Sequence, residues 1–384
     1  MEVVYLDNAA TTFPKPNEVY DYMMDMYKNH GINAGRGIGS SEKSIDYIIS
    51  DTRNMLKDLV NAKDSYEAVF SPSATIALNQ ILWGLDYSNI KNVYISPFEH
   101  NAVLRTFEAI KKEKNINIKT LEFNKESWEY NLDAIEYEFS NDKPDLIVVS
   151  HVSNVFGYIS PIEKIGEIAK KYNSIYIVDG SQSVGVENID VQKCNIDFLV
   201  FAGHKTLYGP FGIAGFIFNK NIKLRPYIYG GTGTESANLN MPDSIPTKYE
   251  AGSLNIMSIF GLYKALQWIN KIGVENIKQK EKNLTKQLVE IISKYRYIQA
   301  HIPKKNHTAI VSFTIKGYPV DTMAEAISRE YNISLRHGLH CSPNAHKISN
   351  TYPEGTIRVS IGYFTTEEDL KALDYALSEL EYEI

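Results

Sequence analysis

Between residues 66 and 218, short runs of β-branched and aromatic residues bounded by turn formers alternate with longer amphipathic stretches. This is the pattern of parallel strands joined by helices that cross the sheet. It predicts strands at 67–70, 92–96, 117–121, 145–150, 175–179, 197–201 and 213–218. Helices are expected at about 75–85, 101–113, 131–139 and 162–172. The fold class is therefore α/β, with a large domain built on a mostly parallel central sheet. In open sheets of this kind, ligand-binding groups stand at the carboxyl ends of the strands.

After residue 255 the alternation gives way to one helical tract, 258–296, in which Ile259, Leu262, Leu266 and Ile269 recur at helical spacing. A strand at 307–315, a helix at 321–331, strands at 333–336 and 356–361 and a helix at 366–382 follow, the order of a smaller α+β domain. A chain of 384 residues also exceeds what one core usually serves. The division expected is a large domain at 16–255 and a small C-terminal domain at 256–384, with residues 1–15 returning to the small one.

Composition narrows the function classes. With 43% hydrophobic and 22% charged residues the chain is an ordinary globular one, and a net charge of -6 offers no positive field for nucleic acid or an anionic membrane. Neither partner is expected. No apolar run reaches bilayer length, and the start Met1-Glu2-Val3-Val4-Tyr5 lacks the basic and apolar regions of a signal peptide. A cytoplasmic location is expected. The two cysteines, Cys194 and Cys341, imply no disulfide framework, and no cluster is read as a metal site.

Several polar residues fall at predicted strand ends. Asp179 ends Ile175-Tyr176-Ile177-Val178, and Lys205 follows Phe198-Leu199-Val200-Phe201 in Gly203-His204-Lys205. A lysine to bind an aldehyde and a carboxylate to keep a pyridine nitrogen protonated are what pyridoxal phosphate (PLP) requires; singly, each residue is equally a loop or turn residue. His100 follows Val93-Tyr94-Ile95, where an imidazole can stack on a ring or relay a proton. Ser71-Pro72-Ser73-Ala74-Thr75 precedes a helix, so it can bind phosphate or simply cap that helix. Asn154 follows Ile147-Val148-Val149, where it can bond a ring oxygen or a carboxylate, or form an Asx turn.

From Tyr5-Leu6-Asp7-Asn8-Ala9-Ala10-Thr11-Thr12 to Arg358-Val359-Ser360 the chain resembles the class V aminotransferase-fold PLP enzymes, and within them the cysteine desulfurases and selenocysteine lyases. Glu99-His100, Asp179-Gly180-x-Gln182 and Gly203-His204-Lys205 occur in that family's order. The resemblance implies the fold type I architecture of PLP-dependent transferases. It implies that Lys205 holds PLP covalently, Asp179 meets the pyridine nitrogen, His100 stacks over the ring and Gln182 meets the phenolic oxygen. Ala74, Thr75 and His204 match phosphate-holding positions. Ser253 matches a threonine supplied by a second subunit, which implies a homodimer. Arg358 matches the arginine that clamps the substrate carboxylate, assisted by Asn154.

There are departures. Ala202 stands where the family often has a serine, Ser73 replaces a glycine, Ile76 replaces a glutamate, and Thr206 is an extra residue after the lysine. A divergent branch with rearranged phosphate contacts is the expectation.

Cys341 selects among PLP reactions. It lies in Leu335-Arg336-His337-Gly338-Leu339-His340-Cys341-Ser342-Pro343, which resembles the desulfurase branch with a short cysteine loop. Arg336, His337, His340, His346 and Lys347 are close in sequence and offer charge or proton acceptors. Cys194 reads as a buried filler. The expected reaction takes sulfur from L-cysteine, leaving alanine and a Cys341 persulfide for a sulfur-acceptor protein or other thiol. Two rivals stay open: selenocysteine lysis or other class V chemistry, and a non-catalytic PLP-fold scaffold.

Overall fold

The computed structural model describes residues 3–32 and 40–383. Among these, seven strands form one sheet in the order Tyr66–Ser71, Ala214–Asn219, Phe198–Ala202, Ile175–Asp179, Leu146–Ser150, Asn92–Ile95, Asn117–Thr120. Ala214–Asn219 runs antiparallel to both neighbours and the other pairings are parallel. The mostly parallel sheet expected from the sequence is therefore present, and each of its seven predicted strands lies within a residue or two of its observed position.

Alternate residues of these strands feed opposite cores. Ile147, Val149, Tyr176, Val178, Leu199 and Phe201 enter one cluster, while Leu146, Val148, Ile177, Phe198 and Val200 enter the other. A strand buried on both faces must be apolar at every position, which is why these segments read as continuous hydrophobic runs. Helices Ala74–Gly84 and Asn101–Glu113 cover one face, with Leu78, Ile81, Val103 and Phe107 in its core. Helix Ile162–Lys171 and the N-terminal helices Asn17–His30 and Ser40–Leu59 contribute Ile165, Val19, Ile48 and Leu56 to the other.

The single tract expected at 258–296 is two helices, Ile256–Ile272 and Val274–Lys294. Gly273 separates them at φ 87°, a left-handed conformation open to glycine and costly for other residues. The first helix buries Ile259, Phe260 and Leu262 in the large core, and the second sends Leu284, Leu288 and Ile292 to a separate one. We accordingly propose Gly273, rather than residue 255, as the divide between the two units.

The second core is built on a four-stranded antiparallel sheet in the order Ile298–His301, Ile310–Ile315, Thr356–Ser360, Arg336–Gly338. Helices Val320–Tyr331 and Glu367–Glu383 flank it, with Ile327, Leu373 and Leu377 buried against Val311, Phe313, Ile357 and Val359. Val4–Tyr5 pairs with Ile333–Ser334, and Leu6 enters the same core.

Candidate active site

The strand topology delivers the polar residues to one edge. Ser150 and Asp179 are register partners at the ends of adjacent parallel strands, and Ala202 ends the next strand before the turn carrying His204 and Lys205. Asp179 and Lys205 share one cavity with His100, Asn154, Gln182 and His204, and the helix start Ala74-Thr75 closes it. Burial lowers the Lys205 ammonium's pKa; Asp179 opposes the shift, while Arg358 and Arg336 add to it. A buried amine beside a carboxylate is thus poised nearer its neutral form than a solvated lysine.

His100 caps helix Asn101–Glu113: its Nδ1 accepts the Ala102 N–H at 3.0 Å. That bond leaves Nε2 to carry the proton of the neutral ring. Burial and the Lys205 charge pull the imidazole down to about 4, so the neutral ring is the resting form. Gln182 donates through Nε2 to the Ala9 carbonyl at 2.7 Å, and Asp179 Oδ1 accepts the Ser181 N–H at 3.0 Å. Each side chain is held in place from its own chain.

At the helix start, Ser73 caps by accepting the Ile76 N–H at 3.3 Å. The backbone N–H groups of Ala74 and Thr75 precede the first intrahelical bonds and border the cavity, an arrangement suited to an anion. Two buried atoms on the cavity wall, Ser181 Oγ and His204 Nδ1, lack hydrogen-bond partners. Buried polar groups are normally satisfied. Orphans facing a cavity that also holds an amine, a carboxylate and free helix-terminal amides fit a polar, phosphate-bearing guest such as PLP. Ser181 and Ala202 line the same cavity, the first with a hydroxyl and the second without.

Arg358 is not a surface residue; it is 2% exposed. Its Nη2 pairs with Asp7 Oδ1 at 2.5 Å and its Nη1 donates to the Asn154 carbonyl at 2.8 Å, while Nε has no partner. Arg336 stands opposite it in the register of the small sheet. Asn154 differs from expectation. It borders the cavity, but its side-chain amide is engaged by the cysteine loop: Nδ2 donates to the His340 carbonyl at 2.6 Å and Oδ1 accepts the Ser342 hydroxyl at 2.7 Å.

Cys341 is exposed, and its carbonyl accepts the Asn101 N–H at 2.7 Å, beside His100. Its sequence neighbours divide. His340 and His346 are buried and bonded to Thr356 and Thr351, and burial lowers both imidazoles, so they are neutral packing groups. Lys347 bonds Asn344 and lies over the Tyr352 ring. Arg336 is the neighbour whose charge reaches Lys205 and His100. Cys194 is buried, and burial pushes its thiol up to about 11.

Ser253 is not brought to this cavity. It lines a separate concavity with Arg53, Glu250 and Gly231 to Thr234. Sequence reasoning passed over Glu99 and Asp7. Glu99, wholly buried, accepts Ser96 Oγ at 2.5 Å, the Ser150 N–H at 2.6 Å and Ser150 Oγ at 3.1 Å, tying two strand ends beneath His100. Burial, with Asp179 adding, raises its carboxyl to about 8. A buried acid inside the Glu-His string was the available signal. Among the described residues no acid, histidine and cysteine cluster could hold a metal ion, and no helix is long and apolar enough to cross a membrane.

Comparison with known proteins agrees with this construction. The aminotransferase class-V family matches residues 4–373. A probable cysteine desulfurase of Pyrococcus abyssi is 30% identical across 99% of this chain and 94% of its own length. A cysteine desulfurase of Wigglesworthia glossinidia brevipalpis is 30% identical across 96% of this chain and 90% of its own. The apo structure of a cysteine desulfurase from Thermococcus onnurineus NA1 superposes with a TM-score of 0.89 at 26% identity, covering 100% of this chain and 95% of that one. With the match running through both cores and the donor set for the cofactor gathered in one cavity, the chain belongs to the aminotransferase class V family of PLP-dependent enzymes.

Proposed function

We propose that the chain is a cysteine desulfurase, converting L-cysteine to L-alanine and carrying the sulfur as a persulfide on Cys341. The observation that carries the reading is the docking of the cysteine loop on the cofactor cavity, through the bond from Asn101 N–H to the Cys341 carbonyl. An exposed thiol beside the lysine and carboxylate pair is what separates sulfur abstraction from other chemistry on this fold.

Lys205 would hold PLP through its amine, Asp179 would pair with the ring nitrogen, and Ala74, Thr75 and His204 would take the phosphate. When bound, the cofactor supplies an electron sink for charge left on the substrate's Cα. Arg358 orients the substrate carboxylate with its remaining N–H donors. Lys205, its amine favoured in the neutral form, takes the Cα proton. Cys341 as thiolate attacks the substrate sulfur: the S–S bond forms, the substrate Cβ–S bond breaks, and its electron pair ends on Cβ. That carbon gains a proton and becomes the methyl group of alanine, and Lys205 returns the proton to Cα. His100, neutral and fixed through Nδ1, exchanges protons through Nε2.

The persulfide then passes to an acceptor thiol, which the exposed loop leaves accessible. We also propose a homodimer in a cytoplasmic setting. Tyr227, Ile228 and Tyr229 are consecutive exposed apolar residues, and Ile228 lines a concavity together with Ser253, as expected of a face that meets a second copy.

Incubation of the holoenzyme with L-cysteine should add one sulfur to the Cys341 peptide by mass spectrometry. Cys341→Ala should keep the cofactor's colour and lose sulfide release; full sulfide production by that variant would overturn the proposal.

A further inference from the structure

Asn154 connects two parts of the site. Its own carbonyl accepts from Arg358 Nη1 at 2.8 Å, and its side chain spans Cys341, bonding the residue before it and the residue after it. The amide orientation is dictated by its partners. The His340 carbonyl can only accept, so the NH2 group faces it, and the amide oxygen is left for the Ser342 hydroxyl. Ser342 is fully buried and Asn154 nearly so, which keeps water from competing for either bond.

The loop needs such restraint. His340 and Cys341 are consecutive non-glycine residues at φ 47° and 60°, a left-handed conformation that persists only where the surroundings impose it. The Asn154 bonds flank the strained pair, and the Asn101 N–H holds Cys341 itself at 2.7 Å. Asn154 is in turn fixed within its loop: Ser153 Oγ accepts the Val155 N–H at 3.3 Å, and the Val155 carbonyl accepts Ser312 Oγ at 2.6 Å.

We propose that Asn154 and Ser342 form a clamp that positions the Cys341 thiol over the site and ties its placement to Arg358. Asn154 thus acts as a positioning residue through the cysteine loop. The inference rests on Cys341 being the sulfur acceptor. Its chemical logic is that thiol attack requires the two sulfurs to be aligned to a fraction of an ångström, and a short exposed loop achieves this only if anchored on both sides.

Ser342→Ala removes one anchor without touching the cavity. In the holoenzyme it should slow single-turnover persulfide formation by roughly tenfold, the scale of one lost buried hydrogen bond. It should also quicken iodoacetamide labelling of Cys341. Cofactor content and the spectral titration with L-alanine, which shares the substrate's amine and carboxylate but lacks sulfur, should stay at wild-type values. Asn154→Asp, which keeps the acceptor for Ser342 but faces the His340 carbonyl with a second acceptor, should likewise slow persulfide formation and quicken labelling. Wild-type persulfide and labelling rates in both variants would overturn the clamp. So would a loss of L-alanine affinity in Ser342→Ala as large as its loss of rate, since that variant would then act through ligand binding and not through the placement of the thiol. The control is Cys341→Ala: undiminished sulfide release there defeats the desulfurase reading itself, whatever Ser342→Ala does.

Discussion

Asp7 and Arg358 are 351 residues apart in sequence, and their Oδ1 and Nη2 atoms are 2.5 Å apart in the fold. Arg358 is buried, and burial lowers its pKa while Asp7 opposes the shift. The N-terminal segment that carries Asp7 also bonds the lysine turn, with Thr12 Oγ1 donating to the Lys205 carbonyl at 2.6 Å and Thr11 Oγ1 to that of His204 at 2.9 Å. One strap therefore holds the arginine of the small sheet and the lysine of the large one. Asp7→Asn strands a buried guanidinium, which should cost about 3 kcal/mol in a denaturant melt of the holoenzyme. A carboxylate ligand can replace the missing anion, so L-alanine should raise the variant's melting temperature more than the wild type's. Equal shifts would mean that Arg358 does not receive the ligand.

Glu281 should shape the pH dependence of stability from outside the site. It is buried, accepts the Tyr208 hydroxyl at 3.0 Å, and is raised by burial to about 8. A carboxyl whose folded pKa lies above its unfolded value binds its proton more tightly when folded. Its contribution is fully present below the unfolded carboxylate range and is lost as pH rises towards about 8. Glu281→Gln, which cannot ionise, should lose less stability than wild type between pH 5.5 and 7.5 in urea melts, on the order of 1 kcal/mol less. Parallel pH profiles of the two proteins would contradict the assignment.

What could be read before the fold was seen follows from the range of the interactions. Asp179 and Lys205 were legible because each directly follows a run that is apolar at every position, and such runs are strands that end at the ligand edge. Helix Ser40–Leu59 was passed over although it carries a pattern: Ile45, Ile48, Ile49 and Leu56 are all buried at helical spacing. Helix Asn17–His30 carries none, since only Val19 and Met26 are buried while Tyr20, Met24 and Tyr27 are exposed. The pairing of Asp7 with Arg358 and the grip of Asn154 on His340 and Ser342 join segments far apart in the chain. No local periodicity encodes them. Asn154 was placed at the site by its strand end, but the direction of its amide depends on a loop 186 residues away.

The buried pair of Arg53 and Glu250 should be the main support of the segment leading to Ser253. Both Arg53 Nη atoms reach the Glu250 carboxylate at 2.7 Å, Glu250 Oε1 also accepts the Phe70 N–H at 2.6 Å, and the guanidinium lies over the Phe70 ring. Removing the carboxylate strands both the guanidinium and a strand amide, so Glu250→Ala should destabilise by about 3–5 kcal/mol. Glu250→Gln, which retains an acceptor for the amide, should lose less. The order of the two losses in urea melts tests the argument; equal losses would remove the amide bond from it.

The two thiols should react at very different rates, and the difference isolates environment from chemistry. Cys194 is 6% exposed, and its ionisation is pushed up to about 11 by burial, with Glu163 and Asp190 working in the same direction against a hydrogen bond that opposes it. Cys341 is exposed, on the loop bonded to Asn101 beside His100. The thiolate is the reactive form, so both access and ionisation disfavour Cys194. Iodoacetamide at pH 7.5 should modify Cys341 at least about a hundredfold faster than Cys194. Prior treatment with L-cysteine should change only the Cys341 product, because the outer sulfur of a persulfide takes the label and a reductant then removes label and sulfur together, whereas the label on Cys194 stays. Peptide mass spectrometry at short labelling times reads both quantities. Comparable labelling of Cys194 would show that the large core opens faster than its packing allows.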